Sequence, residues 1–200
     1  MLPEVLMVVV AYLLGSIPST LLFVRMAGKG DVRRIGSGNV GATNAMRAAG
    51  WKVALSVMVV DVGKGVVAVL LMRYLTPAPE WHAAAGLAAI LGHCFPVWLR
   101  FSGGKGMATA AGIFLVLAWL PALAATVLWI VLLVLGRRVS LASVLATAAF
   151  PLLLLLISSP PLPVILCAVA AAAVIIFRHR SNLVRLAKGT EPRIGNKRPA

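Results

Sequence analysis

The sequence predicts an all-α integral membrane protein with seven transmembrane helices, its N-terminus outside and its C-terminus in the cytoplasm. Three observations carry this expectation. Hydrophobic residues make up 61% of the 200 positions and charged residues 12%, against about half and a quarter in soluble domains. The apolar residues gather in runs long enough to cross about 30 Å of hydrocarbon. The cations gather in the loops on one side of those runs.

Taken in order, the spans fall at about 3–25, 51–75, 81–98, 106–120, 121–136, 140–157 and 161–178, followed by a basic tail, 179–200. The chain, 1–200, reads as a single polytopic membrane domain. Its start, Met-Leu-Pro-Glu, has no basic n-region, and the first apolar run is too long for a signal h-region. That run is therefore expected to stay as a helix. Residues 107–135 are too long for one ordinary span and short for two. Pro121, close to Trp119, marks a turn there, and two short tilted helices are expected. Pro160, Pro161 and Pro163 mark another tight turn. Cys94 and Cys167 sit in apolar runs and read as small buried hydrophobes, neither a disulfide nor a metal pair.

Charge gives the orientation. Loops 27–50, 99–105 and 137–139, the tail and the flanking Arg25, Lys52 and Arg178 together hold 17 of the 19 basic residues, Lys197 and Arg198 among them. The opposite loops hold Glu4, Glu80 and no Lys or Arg. The positive-inside rule puts the basic side in the cytoplasm and requires an odd number of spans. Net charge is +14. Nucleic acid is excluded as the partner because the cations are scattered among short loops, where they meet anionic lipid headgroups. Lys64 lies within the second span, one helical turn from Asp61, and reads as one half of an intramembrane ion pair.

Three polar clusters lie on the basic side. The first is 36–44, Gly-Ser-Gly-Asn-Val-Gly-Ala-Thr-Asn, flanked by Arg33, Arg34 and Arg47. Glycines let backbone N–H groups wrap an anion, and Ser, Thr and Asn add short donors, so the loop reads as a phosphate seat; a plain linker is the alternative. The second runs from Gly92 and His93 through Pro96 to Gly103, Gly104, Lys105, Gly106 and Thr109. Glycines, a lysine and the start of a helix again make an anion seat. It is not a Walker A loop, because the spacing is wrong and a glycine follows the lysine. The third is 178–192, where a helix sets His179 and Asn182 one turn apart, with Arg185 a further turn on. Its cations also suit a helix lying on anionic lipid, but lipid binding does not call for a histidine or an asparagine.

Two phosphate seats and a histidine suggest two phosphorylated substrates meeting at the inner leaflet. Catalytic carboxylates are scarce. No HxxxxD pattern exists, since Trp98 stands five after His93 and Val184 five after His179. No Ser-His-Asp order and no metal-ligand cluster stands out, so no metal and no cofactor is expected. An acyl donor would have to arrive already activated.

These clusters resemble the motifs of the bacterial acyl-phosphate:glycerol-3-phosphate acyltransferases, the PlsY family, in 37–44, 92–109 and 179–191. The resemblance extends over the whole chain in length, span count and motif order. It implies transfer of an acyl group from acyl phosphate to the 1-hydroxyl of glycerol 3-phosphate, giving lysophosphatidic acid and phosphate. It implies an enzyme of phospholipid synthesis in the bacterial inner membrane, with a cytoplasm-facing site and lipid as surroundings; a monomer is one reading, and the sequence leaves the oligomeric state open. Ser37, Arg47, His179 and Asn182 are then the catalytic candidates. Asn39, Gly41, Thr43 and Asn44 are candidates for binding the donor phosphate, and Gly103, Gly104, Lys105 and Gly106 for glycerol 3-phosphate, with Thr109, Ser143 and Glu191 as further substrate contacts. His179 or a phosphate oxygen of the substrate would accept the hydroxyl proton, and the sequence leaves both open.

Other residues have plainer expectations. His93, before a Pro-containing helix end, reads as a structural hydrogen-bonder. His82 and Trp81 read as interface anchors. Ser140 and Ser143 open the sixth span, where capping is expected first. A transporter of an organic phosphate is the alternative function, but it would favour paired repeats and a midplane site over clusters gathered at one face.

Overall fold

In a computed structural model the described residues are 1–195; Lys197 and Arg198 of the basic tail lie outside them. Every regular element among them is helical. The chain divides into two compact units, Met1–Leu117 and Ala118–Ala200.

The first unit begins with α1 (Leu2–Gly15) and α2 (Ser19–Met26). They occupy the expected first span, broken at 16–18 because Pro18 has no N–H to continue the ladder. A short 3-10 turn (Val32–Arg34) and α3 (Ala42–Ala49) follow. Next come α4 (Trp51–Leu75), α5 (Pro79–Cys94), a second 3-10 turn (Val97–Leu99) and α6 (Met107–Leu117). Packing uses small residues. A Cβ at Gly15 would run into the Ala89 backbone, and one at Gly92 into the Tyr12 carbonyl. Likewise Gly65 abuts the Thr109 carbonyl and Gly112 the Val62 carbonyl. In lipid, helices gain little from burying apolar surface, and such close backbone approach supplies the packing.

The second unit holds α7 (Trp119–Gly136), α8 (Val139–Ile157), α9 (Leu162–Arg178) and α10 (Arg180–Ala187). Alanines 142, 146, 168, 171 and 172 are buried there. Segment 190–195 returns to the start of α8: Ile194 and Arg137 exchange main-chain and guanidinium hydrogen bonds.

Not every expected span is a helix of full crossing length. Among the described residues five segments are long and apolar enough to cross a membrane: Leu2–Met26, Trp51–Leu75, Pro79–Leu99, Trp119–Gly136 and Val139–Ile157. A sixth is reached if Leu162–Arg178 and Arg180–Ala187, bent by 58°, are taken together. The expected fourth span, 106–120, is only α6, whose 11 residues rise about 16 Å, roughly half of the hydrocarbon thickness. The break falls at Ala118 rather than Pro121, which sits in the first turn of α7 where its missing N–H costs nothing.

Candidate functional site: two glycine-rich loops and a carboxylate clasp

In the first unit the first polar cluster is a loop folded around Asn44. This side chain is 1% exposed. Its Oδ1 accepts from Ser37 N–H (3.1 Å), and its Nδ2 donates to the carbonyls of Val32 and Ile35 (3.1 and 2.9 Å). Asn44 therefore shapes the loop from beneath. Gly36 and Gly38 have φ of +60° and +70°, a region that L side chains rarely adopt. Ser37, Thr43 and Arg47 are exposed, and Asn39 is half-buried. Arg47 lies beside Gly36. Since α3 starts at Ala42, the N–H groups of Ala42 and Thr43 have no acceptor within the helix, whereas those of Asn44 and Ala45 donate to the Gly41 carbonyl. Arg33 is engaged elsewhere: it pairs with Asp31 at 2.6 Å, and that guanidinium holds the Asp31 carboxyl well below the usual carboxylate range.

The second loop returns onto the end of α5. Gly103 N–H donates to the Cys94 carbonyl (3.1 Å) and Gly104 N–H to the His93 carbonyl (3.0 Å). A left-handed pair, Arg100 and Phe101, makes the reversal. Neither Gly103 nor Gly104 has room for a Cβ. At Gly103 it would meet the His93 carbonyl and the Pro96 ring, and at Gly104 the His93 imidazole and the Val40 carbonyl. Gly106 has φ +86° and leads into α6, with Lys105 half-buried before it. Val40 belongs to the first loop, so the two glycine-rich loops pack against each other at Val40 and Gly104. A small cavity beside that contact is lined by Ser19, Lys64, His93 and Gly104 among others. Thr109 is fully buried in α6, and its hydroxyl has no partner among the described residues.

The second unit carries the third cluster, built on Glu191. Its Oε1 accepts from Ser140 Oγ (2.6 Å) and Asn182 Nδ2 (2.7 Å), and its Oε2 from Arg185 Nε (2.7 Å). Burial pushes this carboxyl up, but the hydrogen bonds from Ser140, Asn182 and Arg185 and the charge of Arg185 outweigh it, leaving the group below 4.5. Glu191 thus clasps α8 to α10. The ring of His179 points Nδ1 at the Ile175 carbonyl, 2.8 Å away. A carbonyl only accepts, so Nδ1 carries a proton. Ser143 accepts from Trp129 Nε1 at 3.1 Å.

The comparisons with known proteins then bear on what this arrangement is. A family model described as glycerol-3-phosphate acyltransferase matches residues 5–189. The chain belongs to the glycerol-3-phosphate acyltransferase family. It is 47% identical over 195 residues to a glycerol-3-phosphate acyltransferase of Caulobacter vibrioides, covering 96% of this chain and 88% of that one. To one of Prochlorococcus marinus it is 45% identical over 187 residues, covering 92% and 94%. A crystal structure of PlsY (YgiH), an integral membrane glycerol 3-phosphate acyltransferase in its glycerol 3-phosphate form, matches with a TM-score of 0.91 at 39% identity over 96% of each chain. The lysophosphatidic acid form of that protein matches with a TM-score of 0.89 at 38% identity. The chain is a multi-pass membrane acyltransferase, and the transporter alternative falls.

Several residues act otherwise than the sequence suggested. Ser140 does not cap α8, whose N-cap is Arg138; its hydroxyl goes to Glu191. His82 is buried with Nε2 against the Thr76 carbonyl at 2.7 Å, closing the turn before α5 rather than anchoring at an interface. The ion pair of Asp61 and Lys64 forms as expected, at 2.8 Å. Sequence reasoning missed that Ser19 and His93 join it. The signal available was a pair of intramembrane charges in a chain with so few acids.

Proposed function

We propose that this acyltransferase moves a fatty acyl group from an acyl phosphate to the 1-hydroxyl of glycerol 3-phosphate, at the cytoplasmic face of the bacterial inner membrane. The hydroxyl oxygen bonds to the acyl carbonyl carbon, the bond from that carbon to the phosphate oxygen breaks, and the products are lysophosphatidic acid and inorganic phosphate. The observation that carries the reading is the contact of the two glycine-rich loops at Val40 and Gly104. The first loop offers the N–H groups that open α3 with Arg47 beside them, and the second offers Lys105 at the start of α6, so two phosphates can be held near one another. Holding them so makes the reaction effectively intramolecular, and proximity of this kind is worth up to about 7–11 kcal/mol of barrier. A mixed anhydride is activated already and needs no covalent enzyme intermediate.

In this reading Ser37, Asn39, Gly41 and Thr43 face the donor phosphate and the developing oxyanion. Gly103, Gly104, Lys105 and Gly106 seat glycerol 3-phosphate. Asn44 shapes the first loop, and Glu191 holds Asn182 in place. Thr109 keeps its hydroxyl for substrate, and Ser143, whose oxygen takes the Trp129 N–H, has its O–H to donate. The hydroxyl proton passes to His179 Nε2 or to an oxygen of the departing phosphate. Turnover largely retained in His179→Ala would assign it to the phosphate. The topology supported by the charge distribution has seven crossings with the N-terminus outside, α6 being a short one.

The test uses purified protein in detergent with palmitoyl phosphate and glycerol 3-phosphate, following phosphate release and lysophosphatidic acid by mass spectrometry. Palmitoyl-CoA runs in parallel, with Lys105→Ala as the variant. Equal amounts of both products from the acyl phosphate alone, and a much weakened variant, are expected. Product from palmitoyl-CoA would refute the choice of donor.

A further inference from the structure

We infer that Asp61, through His93, is a positioning residue for the second glycine-rich loop; this rests on the reading that 103–106 seat glycerol 3-phosphate. Asp61 and Lys64 are 2% and 6% exposed, on α4, in the first unit. Asp61 Oδ1 gathers three groups: Ser19 Oγ at 2.7 Å, Lys64 Nζ at 2.8 Å and His93 Nδ1 at 3.6 Å. Lys64 also donates at 3.3 Å to the Ile17 carbonyl, which takes the Ser19 N–H as well, where the first span breaks. One carboxylate thereby ties α4, the α1–α2 break and the end of α5.

The tie reaches the loop through His93. Its Nδ1 edge faces Asp61, and its Nε2 edge fills the space beside Gly104. Its carbonyl accepts the Gly104 N–H. A ring turned away from Asp61 would have to move against Gly104, because neither that residue nor the Val40 carbonyl behind it leaves slack. A structural ion pair alone does not need a histidine between itself and the phosphate seat. The charge is costly in the bilayer, and here its position is coupled to the placement of the seat.

The experiment compares wild type, His93→Leu and His93→Asn in detergent. Asn keeps an N–H near the position of Nδ1; Leu keeps bulk and loses it. The first readout is hydrogen exchange of the 103–104 amides, which needs no substrate. His93→Leu is expected to speed it by about tenfold or more, and Asn to restore most of the protection. The second readout is kinetic. KM for glycerol 3-phosphate should rise about tenfold in His93→Leu while KM for palmitoyl phosphate stays within about twofold. Unchanged exchange in a folded His93→Leu sample overturns the inference, as does an equal rise of both KM values. Faster exchange with an unchanged KM for glycerol 3-phosphate, in a protein whose Lys105→Ala variant also keeps that KM, supports the positioning and refutes the seat assignment instead. If His93→Leu does not fold, Ser19→Ala, which removes a donor from Asp61 without touching the loop, is read in the same two ways.

Discussion

Replacing Glu191 should loosen the second unit by an amount that its hydrogen bonds set. In Glu191→Ala the Ser140 hydroxyl, 5% exposed, and the Asn182 amide, also 5% exposed, both lose their carboxylate acceptor. Each buried donor deprived of its partner costs about 1–3 kcal/mol. The Arg185 ion pair adds less, about 0–1 kcal/mol, because that side chain is 35% exposed and partly screened. The sum is on the order of 2–7 kcal/mol. For a chain of this size that corresponds to a midpoint lowered by roughly 4–28 °C. The buried thiols supply the assay. Cys167 is 4% exposed in the second unit and is not in a disulfide. A fluorogenic maleimide added during heating, on a Cys94→Ala background, reports unfolding around it. Glu191→Gln keeps an oxygen for Ser140 and Asn182 and turns only the Arg185 contact unfavourable, so it should fall near wild type. The acid limb follows from the direction of the pKa. A carboxyl held below 4.5 in the folded state adds stability above that value and loses it as pH falls through the folded pKa. Wild type should lose midpoint below about pH 4.5, and Glu191→Gln should lose less. An Ala variant within about 1 °C of wild type would refute the clasp.

Further outcomes follow from the other contacts. Asn44→Ala removes three hydrogen bonds to loop backbone and should speed amide exchange at 36–38 and cut turnover, with unchanged exchange counting against the shaping role. Gly104→Ala places a methyl against the His93 ring and the Val40 carbonyl; it should raise KM for glycerol 3-phosphate by about tenfold or more, measured by phosphate release. Asp61→Asn leaves Lys64 buried without its counter-charge and should cost about 3–5 kcal/mol, read as earlier labelling of Cys94. The double variant with Lys64→Met should recover much of that loss, and no recovery would argue against the pair.

Composition and hydropathy were enough to read a helical multi-pass membrane protein, because a bilayer accepts only apolar spans whose backbone is satisfied internally. The span Trp51–Leu75 is as the hydropathy pattern sets it. The three clusters were legible as well, as short runs of glycines, small donors and cations in an otherwise apolar chain. What each residue in them does was decided by tertiary structure. Asn44 and Thr43 are neighbours of similar polarity, yet one is buried under its loop and the other is exposed. Ser140 and Ser143 are one turn apart, yet one donates to Glu191 and the other accepts from Trp129. Hydropathy could not shorten the fourth span either, because the apolar run continues from α6 into α7 and only the non-helical backbone at Ala118 interrupts it. His93 could be read only as a hydrogen-bonder, because its partner Asp61 stands 32 residues earlier on another helix. Local sequence fixes which residues can bond; contacts between distant segments fix which of those bonds form, and so which side chains are left to meet substrate.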